Sequence, residues 1–220
     1  MRKHKFITDQ YYHIYNRGVD KRDIFMDQYD LIRFTLSIKE FNNIKPIGSI
    51  KEVLKNKSDL DRLKNEDKPL VSIVCFCMNP NHFHFIIKQE VEGGISEFLK
   101  RLLGGYARYF NKIHNRTGTL FQGRFKSKLI EKDDYFLKIR PYVNINYLIH
   151  DIPPEKSHLI LSSCQEYDSL KFNLVDKKEA INLLEFYGSN KNFKSECLKV
   201  VTMIREERGK TLLNEEDFNI

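Results

Sequence analysis

Short runs in which apolar and polar residues alternate recur along the chain, and a period of two is typical of strands. These runs are also rich in aromatic and β-branched residues. The predicted strands cover residues 11–17, 70–78, 82–88 and 120–130. Asn79-Pro80, between the second and third runs, is a turn signal, so we expect these two strands to form a hairpin.

Other stretches place apolar residues at a period near 3.6, which predicts amphipathic helices. The predicted helices cover residues 28–40, with Asp27 as N-cap, residues 95–113, and a stretch from Asp133 or Asp134 through Asn146. Gly104-Gly105 inside the second helix would each cost about 1 kcal/mol relative to Ala, so we expect close backbone packing there. Two short helices, at 180–187 and 197–208, are predicted near the end of the chain.

The predicted order is strand, helix, strand, strand, helix, strand, helix. This order is that of an α+β, ferredoxin-like βαββαβ sandwich, an antiparallel sheet with helices, to which one helix is added. We expect a main domain over residues 1–168, with a polar insertion at about 42–69, and a small helical C-terminal extension over 169–220.

Composition narrows the class of protein. The chain has 220 residues with 41% hydrophobic content and 30% charged content, which indicates a globular protein rather than a disordered one. Lys and Arg total 37 against 30 Asp and Glu, and the net charge of +7 favours a polyanionic partner. No apolar segment has transmembrane length and the four cysteines form no disulfide pattern, so we expect a reduced, cytoplasmic protein without a membrane partner.

His82 and His84 are the first candidates for chemistry. Strand side chains alternate between faces, so both imidazoles are expected on one face, with attachment points roughly 6.6 Å apart, and could share a divalent metal. Phe83 and Phe85 are expected on the other face, in the core. A rival hypothesis adds Cys75 and Cys77 to form a structural zinc cluster, although both share the parity of Val71 and Ile73, where a free cysteine behaves as a small hydrophobe.

Basic residues are the second set of candidates. Arg124, Lys126 and Lys128 alternate, so they are expected on one strand face, where they would form a phosphate track or a solvated edge. A basic turn after the first strand carries Arg17 and Arg22. His13, within that strand, is expected to be an ordinary core or edge histidine.

Four segments together resemble one family. They are Tyr12-His13-Ile14-Tyr15-Asn16-Arg17-Gly18, Met78-Asn79-Pro80-Asn81-His82-Phe83-His84, Gly118-Thr119-Leu120-Phe121-Gln122-Gly123-Arg124-Phe125 and Tyr142-Val143-Asn144-Ile145-Asn146, with a weaker match at Ser162-Ser163. In this order they resemble the single-tyrosine HUH transposases, and within them the REP-associated tyrosine transposases. The resemblance covers roughly residues 6–168.

The resemblance implies a role for each matching residue. His82 and His84 correspond to the metal ligands, Asn146 to the polar residue that completes the metal site, and Tyr142 to the nucleophile. It implies a Mg²⁺- or Mn²⁺-dependent enzyme that cuts and rejoins single-stranded or hairpin DNA through a 5′-phosphotyrosine. Arg17, Arg22, Arg124, Lys126 and Lys128 would contact that DNA, and the protein would act as a homodimer or a monomer.

The chain departs from the family at two positions. Tyr147 stands where the family commonly has a proline, and Pro141 precedes the presumed nucleophile, where it is expected to kink the helix or to begin a new one. Tyr147 and Tyr135 are the alternative nucleophiles. The alternative function is a domesticated protein that binds hairpin or single-stranded DNA without cutting it.

Overall fold

The computed structural model describes residues 5–52, 68–131 and 134–209, and only the backbone of residues 134–136. Most of the insertion predicted at 42–69, the predicted cap at Asp133 and the side chain of Tyr135 therefore lie outside the described residues.

Five strands of the described chain form one antiparallel sheet in the order β4-β1-β3-β2-β5. They are β1 (Tyr11–Arg17), β2 (Val71–Asn79), β3 (His82–Gln89), β4 (Lys126–Leu129) and β5 (Leu161–Ser162). With a helix after β1 and another after β3, the first four strands have the ferredoxin-like order, and the predicted fold class is confirmed. The short edge strand β5 is an addition that the alternation pattern did not predict.

Six α-helices of the described chain accompany the sheet. They are α1 (Gln28–Phe41), α2 (Gly94–Ile113), α3 (Asp134–Asn144), α4 (Ser163–Ser169), α5 (Lys177–Tyr187) and α6 (Asn190–Glu207). Asp27 caps α1 as predicted, because its side chain accepts a hydrogen bond from the Asp30 backbone N–H at 2.9 Å. None of the helices in the described ranges is long and apolar enough to cross a membrane.

The two faces of the β2–β3 hairpin have different partners. Phe83 and Phe85 are completely buried on one face, where α1 and α2 cover the sheet. The ring of Phe34 in α1 lies 5.7 Å from that of Phe83, centroid to centroid. The opposite face carries His82 and His84 and is covered by α3. The strand alternation therefore places a hydrophobic core on one side of the sheet and the candidate site on the other.

The predicted parity of β2 is wrong from Cys75 onward. Ile73 pairs with Ile87, but Cys75 pairs with Ile86 and Cys77 with His84, because the register shifts between Ile73 and Cys75. A bulge of this kind adds one residue to one strand and turns the following side chains to the other face. Both cysteines thus lie on the histidine face, although both are fully buried.

The expected close packing in α2 occurs at only one of its two glycines. A Cβ atom on Gly105 would lie 2.8 Å from the ring of Phe41 in α1, whereas a Cβ atom on Gly104 would meet nothing within 4 Å. Gly105 is therefore the residue that lets α1 and α2 approach each other.

This difference predicts opposite effects of two neighbouring substitutions. Gly104→Ala should stabilise the protein by up to about 1 kcal/mol, because alanine is the better helix former. Gly105→Ala gains the same propensity but must displace Phe41, so it should be less stable than Gly104→Ala by roughly 1–3 kcal/mol. Urea unfolding followed by circular dichroism measures both; equal stability of the two variants would contradict the tight contact.

Candidate active site

The histidine pair lies at the start of β3, the central strand of the sheet. In the register of β1 with β3, His82 is opposite Arg17 and His84 is opposite Tyr15. The two imidazole rings are 5.3 Å apart, centroid to centroid, and perpendicular to each other. The structure thus brings both predicted metal-ligand candidates to one face of β3.

Three asparagines surround the His82 ring. Its Nδ1 lies 2.6 Å from Asn81 Oδ1, and its Nε2 lies 2.9 Å from Asn79 Nδ2 and 3.1 Å from Asn146 Oδ1. The Asn81 amide orientation is itself fixed, because its Nδ2 donates to the backbone carbonyl of Lys21 at 3.3 Å. The Asn81 oxygen can only accept and the Asn79 Nδ2 can only donate, and both contacts fit a His82 ring that is protonated on Nδ1 and has a lone pair on Nε2. In this tautomer the Asn146 oxygen is a second lone-pair donor beside Nε2 and not its hydrogen-bond partner.

Asn79 is a site residue to which the sequence analysis gave only the role of a turn signal. It is completely buried, and its Nδ2 donates to Asn146 Oδ1 at 3.0 Å as well as contacting His82. The signal was present in the sequence, because a two-residue Pro80-Asn81 turn places Asn79 directly opposite His82 across the hairpin.

Asn146 and Tyr142 approach the pair from α3, but not on one continuous helix as predicted. The α-helix ends at Asn144, Ile145 has φ −125° and ψ 34°, and Asn146 begins a 3-10 helix (Asn146–Ile149). Asn146 nevertheless contacts His82, and the Tyr142 ring centroid lies 5.6 Å from that of His84. The predicted neighbours are together, although the helix ends between them.

Burial sets the protonation of these side chains. Burial lowers the pKa of His82, with Asn146 opposing and Arg17 adding to the shift, and it lowers the pKa of His84 well below its ordinary value. Neutral imidazoles are the form that binds metals. Burial raises the pKa of Tyr142, which the Asn146 amide and Arg208 lower in part, so the phenol is protonated at neutral pH.

The zinc alternative lacks the side-chain arrangement it needs. Among the described residues, no group of three or more His, Cys, Asp and Glu side chains is arranged to hold a metal ion. Burial raises the pKa of Cys75 to about 12 and that of Cys77 further, so both are thiols in the metal-free protein. The Cys77 Sγ instead contacts Asn79 Oδ1 at 3.6 Å.

The site opens into a cavity of about 920 Å³ with an excess of positive charge. Its ionic and site side chains are Arg17, Lys21, Asp23, His82, His84, Lys126, Tyr142, His150, Asp151 and Lys156. Asp23 forms an ion pair with Lys156 at 2.6 Å, and Asp151 one with Arg205 at 3.1 Å. The positive charge that these pairs leave in the cavity wall suits a phosphate backbone.

The structure separates the five predicted DNA-binding residues. Arg17 and Lys126 line the cavity, and Lys128 is opposite His13, on the same face of the sheet. Arg124 precedes β4 and lines a second cavity of about 380 Å³ against α2. Arg22 is exposed after the first turn, and its charge acts on Arg116. These assignments to DNA stay predictions.

Helix α3 continues through Pro141 rather than beginning there. A side chain from a C-terminal helix forms a hydrogen bond that the proline cannot form. Proline has no N–H to donate to the carbonyl of Leu137, four residues earlier. The Tyr187 hydroxyl of α5 donates to that carbonyl instead, at 3.1 Å. A side chain from outside the predicted main domain thus replaces the hydrogen bond that Pro141 removes.

Two further contacts hold the end of α3 and the turn after it. Asn144 Nδ2 lies 3.6 Å from Cys197 Sγ of α6, while its Oδ1 accepts a hydrogen bond from the Ser163 hydroxyl at 2.6 Å. Arg205, also in α6, donates to the carbonyl of Leu148 at 2.8 Å. The segment that places Tyr142 and Asn146 is therefore fixed from α4 and α6.

We expect Tyr187→Phe to lower the free energy of unfolding by about 0.5–1.5 kcal/mol, the net contribution of one hydrogen bond. Tyr29→Phe is the matched control, because Tyr29 is 76% exposed and the same substitution there should change stability by less than about 0.5 kcal/mol. Urea unfolding compares the two, and equal effects would contradict a special role for the Tyr187 hydroxyl.

The fold and the site together define an α+β protein in which two histidines and a tyrosine line one basic cavity, with a buried amide behind one of the histidines. Residues 50–146 match the model of a family described as "Transposase IS200 like". This segment, somewhat less than half of the chain, contains both histidines, Tyr142 and Asn146. The predicted resemblance to these transposases is confirmed over it, while the first strand lies outside the match.

Two solved structures are similar to this chain. One is a REP-associated tyrosine transposase bound to a REP hairpin, with 15% identity and a TM-score of 0.45, covering 80% of this chain and 93% of that one. The other is a putative transposase from Deinococcus radiodurans R1, with 13% identity and a TM-score of 0.37, covering 65% of this chain and 95% of that one. A search of curated proteins finds no match.

Proposed function

We propose that this chain is a transposase that uses Tyr142 and a divalent metal ion to cleave and rejoin single-stranded DNA. The observation that carries the proposal is the convergence of Tyr142, His82 and His84 at one basic cavity, with Asn146 buried in contact with His82. The match of residues 50–146 to IS200-like transposases supports the same reaction class.

The donor set fits Mg²⁺ or Mn²⁺ bound by His82, His84 and Asn146. His82 presents an unprotonated Nε2, and the Asn146 oxygen lies 3.1 Å from it. Asn146 Nδ2 is buried without a hydrogen-bond partner among the described residues, so this amide is not fully satisfied by the protein. Two imidazoles and one amide oxygen leave further coordination positions for phosphate and water. A bound ion would supply positive charge to the oxygens of the scissile phosphate.

The chemistry requires no external energy source. The Tyr142 hydroxyl oxygen forms a bond to phosphorus, the phenol proton is lost, and the bond from phosphorus to the 3′-oxygen breaks. That oxygen takes up a proton, so the products are a 5′-phosphotyrosine and a free 3′-hydroxyl. Attack by a 3′-hydroxyl on the phosphotyrosine reverses the steps, because one phosphoester bond is exchanged for another.

The basic cavity wall gives the DNA a place to lie. Arg17 and Lys126 flank the histidine pair, and the Lys126 ammonium lies over the Tyr15 ring, 5.9 Å from its centroid. Cationic side chains beside aromatic rings are typical of surfaces that bind single strands. A hairpin with a single-stranded flank is the substrate class that we propose.

Wild-type protein should form a protease-sensitive covalent adduct with labelled single-stranded hairpin DNA in Mg²⁺ or Mn²⁺, seen on a denaturing gel. Tyr142→Phe removes the nucleophile and should abolish the adduct. Loss of a residue that hydrogen-bonds to a metal ligand typically reduces activity roughly 10–100-fold. His82→Ala removes a proposed ligand itself, so it should reduce the yield of adduct by more than that. A chelator should have the same effect as His82→Ala.

Tyr147→Phe is the matched control for this assay. Tyr147 is 7% exposed and lies in the core rather than in the cavity wall, so this variant should retain the adduct. An adduct that survives Tyr142→Phe would move the nucleophile to another tyrosine. Tight DNA binding by the wild type without any adduct would favour the non-cleaving binder.

Lys126→Gln and Arg17→Gln should each weaken binding of single-stranded DNA and lower its salt dependence. Each lost phosphate contact should reduce the slope of log affinity against log salt by about 0.7. Lys199→Gln, on the exposed surface of α6 where Lys199 pairs with Glu196, is the control and should leave the slope unchanged. Fluorescence anisotropy at several salt concentrations gives the slopes, and identical slopes in all variants would exclude this cavity as the DNA path.

A further inference from the structure

His13 of β1 contacts His84 of β3 on the sheet face that carries the candidate site. Its Nε2 lies 2.8 Å from His84 Nδ1, and both residues are buried, with 6% and 8% exposure. The rings are nearly parallel, 5.1 Å apart between centroids. In the strand register His13 is opposite Ile86 and not His84, so this is a diagonal contact between the two strands.

A hydrogen bond between two neutral imidazoles has a direction, and here the direction decides what His84 can do. If His84 donates from Nδ1, its Nε2 keeps a lone pair and can bind a metal ion. If His13 donates instead, the His84 proton is on Nε2, and that nitrogen cannot coordinate. The hydrogen-bond partner of the ring nitrogen that does not bind the metal thus selects the tautomer of a histidine ligand.

His82 already has the metal-binding tautomer without any help from His13. Its Nδ1 faces Asn81 Oδ1 at 2.6 Å, and that oxygen can accept but not donate. For both histidines to contribute the same kind of donor, His84 must also hold its proton on Nδ1. His13 Nε2 is the atom within hydrogen-bond distance of that proton.

We propose that His13 is a positioning residue, which accepts the Nδ1 proton of His84 in a hydrogen bond and so keeps His84 Nε2 available to a divalent cation. The inference rests on the proposed function, because it assigns His84 to a metal site. It replaces the expectation that His13 is an ordinary core or edge histidine.

Two measurements test this role without relying on cleavage. Nitrogen-15 NMR of the imidazoles in the metal-free wild type should show His84 protonated on Nδ1. Titration with Mn²⁺ followed by electron paramagnetic resonance should then show a roughly 10–100-fold lower affinity for His13→Phe, which keeps a ring but has no nitrogen. His13→Gln, whose amide oxygen can accept the same hydrogen bond, should recover part of the affinity.

Tyr12→Phe is the control, since Tyr12 is adjacent in β1 and points to the other face of the sheet, and its Mn²⁺ affinity should equal that of the wild type. Thermal melting verifies that each variant is folded, and the NMR result on the wild type stands even if His13→Phe does not fold. His84 protonated on Nε2, or folded His13→Phe with unchanged affinity, would overturn the role of His13 alone. Wild-type protein that binds no Mn²⁺ would overturn the proposed function as well.

Discussion

The alternation of side chains along β3 is the constraint on which the rest of this structure depends. Phe83 and Phe85 are buried against α1 and α2. Because strand side chains alternate between faces, His82 and His84 must then lie on the opposite face. A one-residue shift in the pairing register of β3 would put the histidines on the core face and the phenylalanines on the site face. The core would then lose several large apolar side chains. The hydrophobic core therefore fixes the direction of the candidate site.

The polar side chains of the site are buried or partly buried, and this determines their chemistry. An unpaired polar group in the interior is costly, so each must have partners. Asn79 and Asn81 provide them for His82, and His13 provides one for His84. The same burial disfavours the charged forms of the imidazoles and of the Tyr142 phenolate. Neutral imidazoles and a protonated Tyr142 phenol are the state that this burial favours.

The position of Tyr142 depends on helices that the sequence pattern assigned to a separate unit. Pro141 removes a backbone donor one residue before Tyr142, and Tyr187 satisfies the carbonyl that is left. Cys197 and Arg205 contact the end of α3 and the turn that follows it. The last helices are thus in contact with the segment that carries the nucleophile candidate, which gives them a structural role beyond covering the core.

The sequence alone determined the features that depend on local periodicity. Alternation predicted β1, the β2–β3 hairpin and the shared face of His82 and His84, and the cap at Asp27 placed the start of α1. The sequence pattern did not predict the register shift after Ile73 or the end of α3 at Asn144, because both depend on the side chains packed against those segments. The His13–His84 hydrogen bond joins residues 71 positions apart, and only the pairing of β1 with β3 brings them together. Local spacing fixes which face a side chain occupies, whereas tertiary packing decides which partner it meets there.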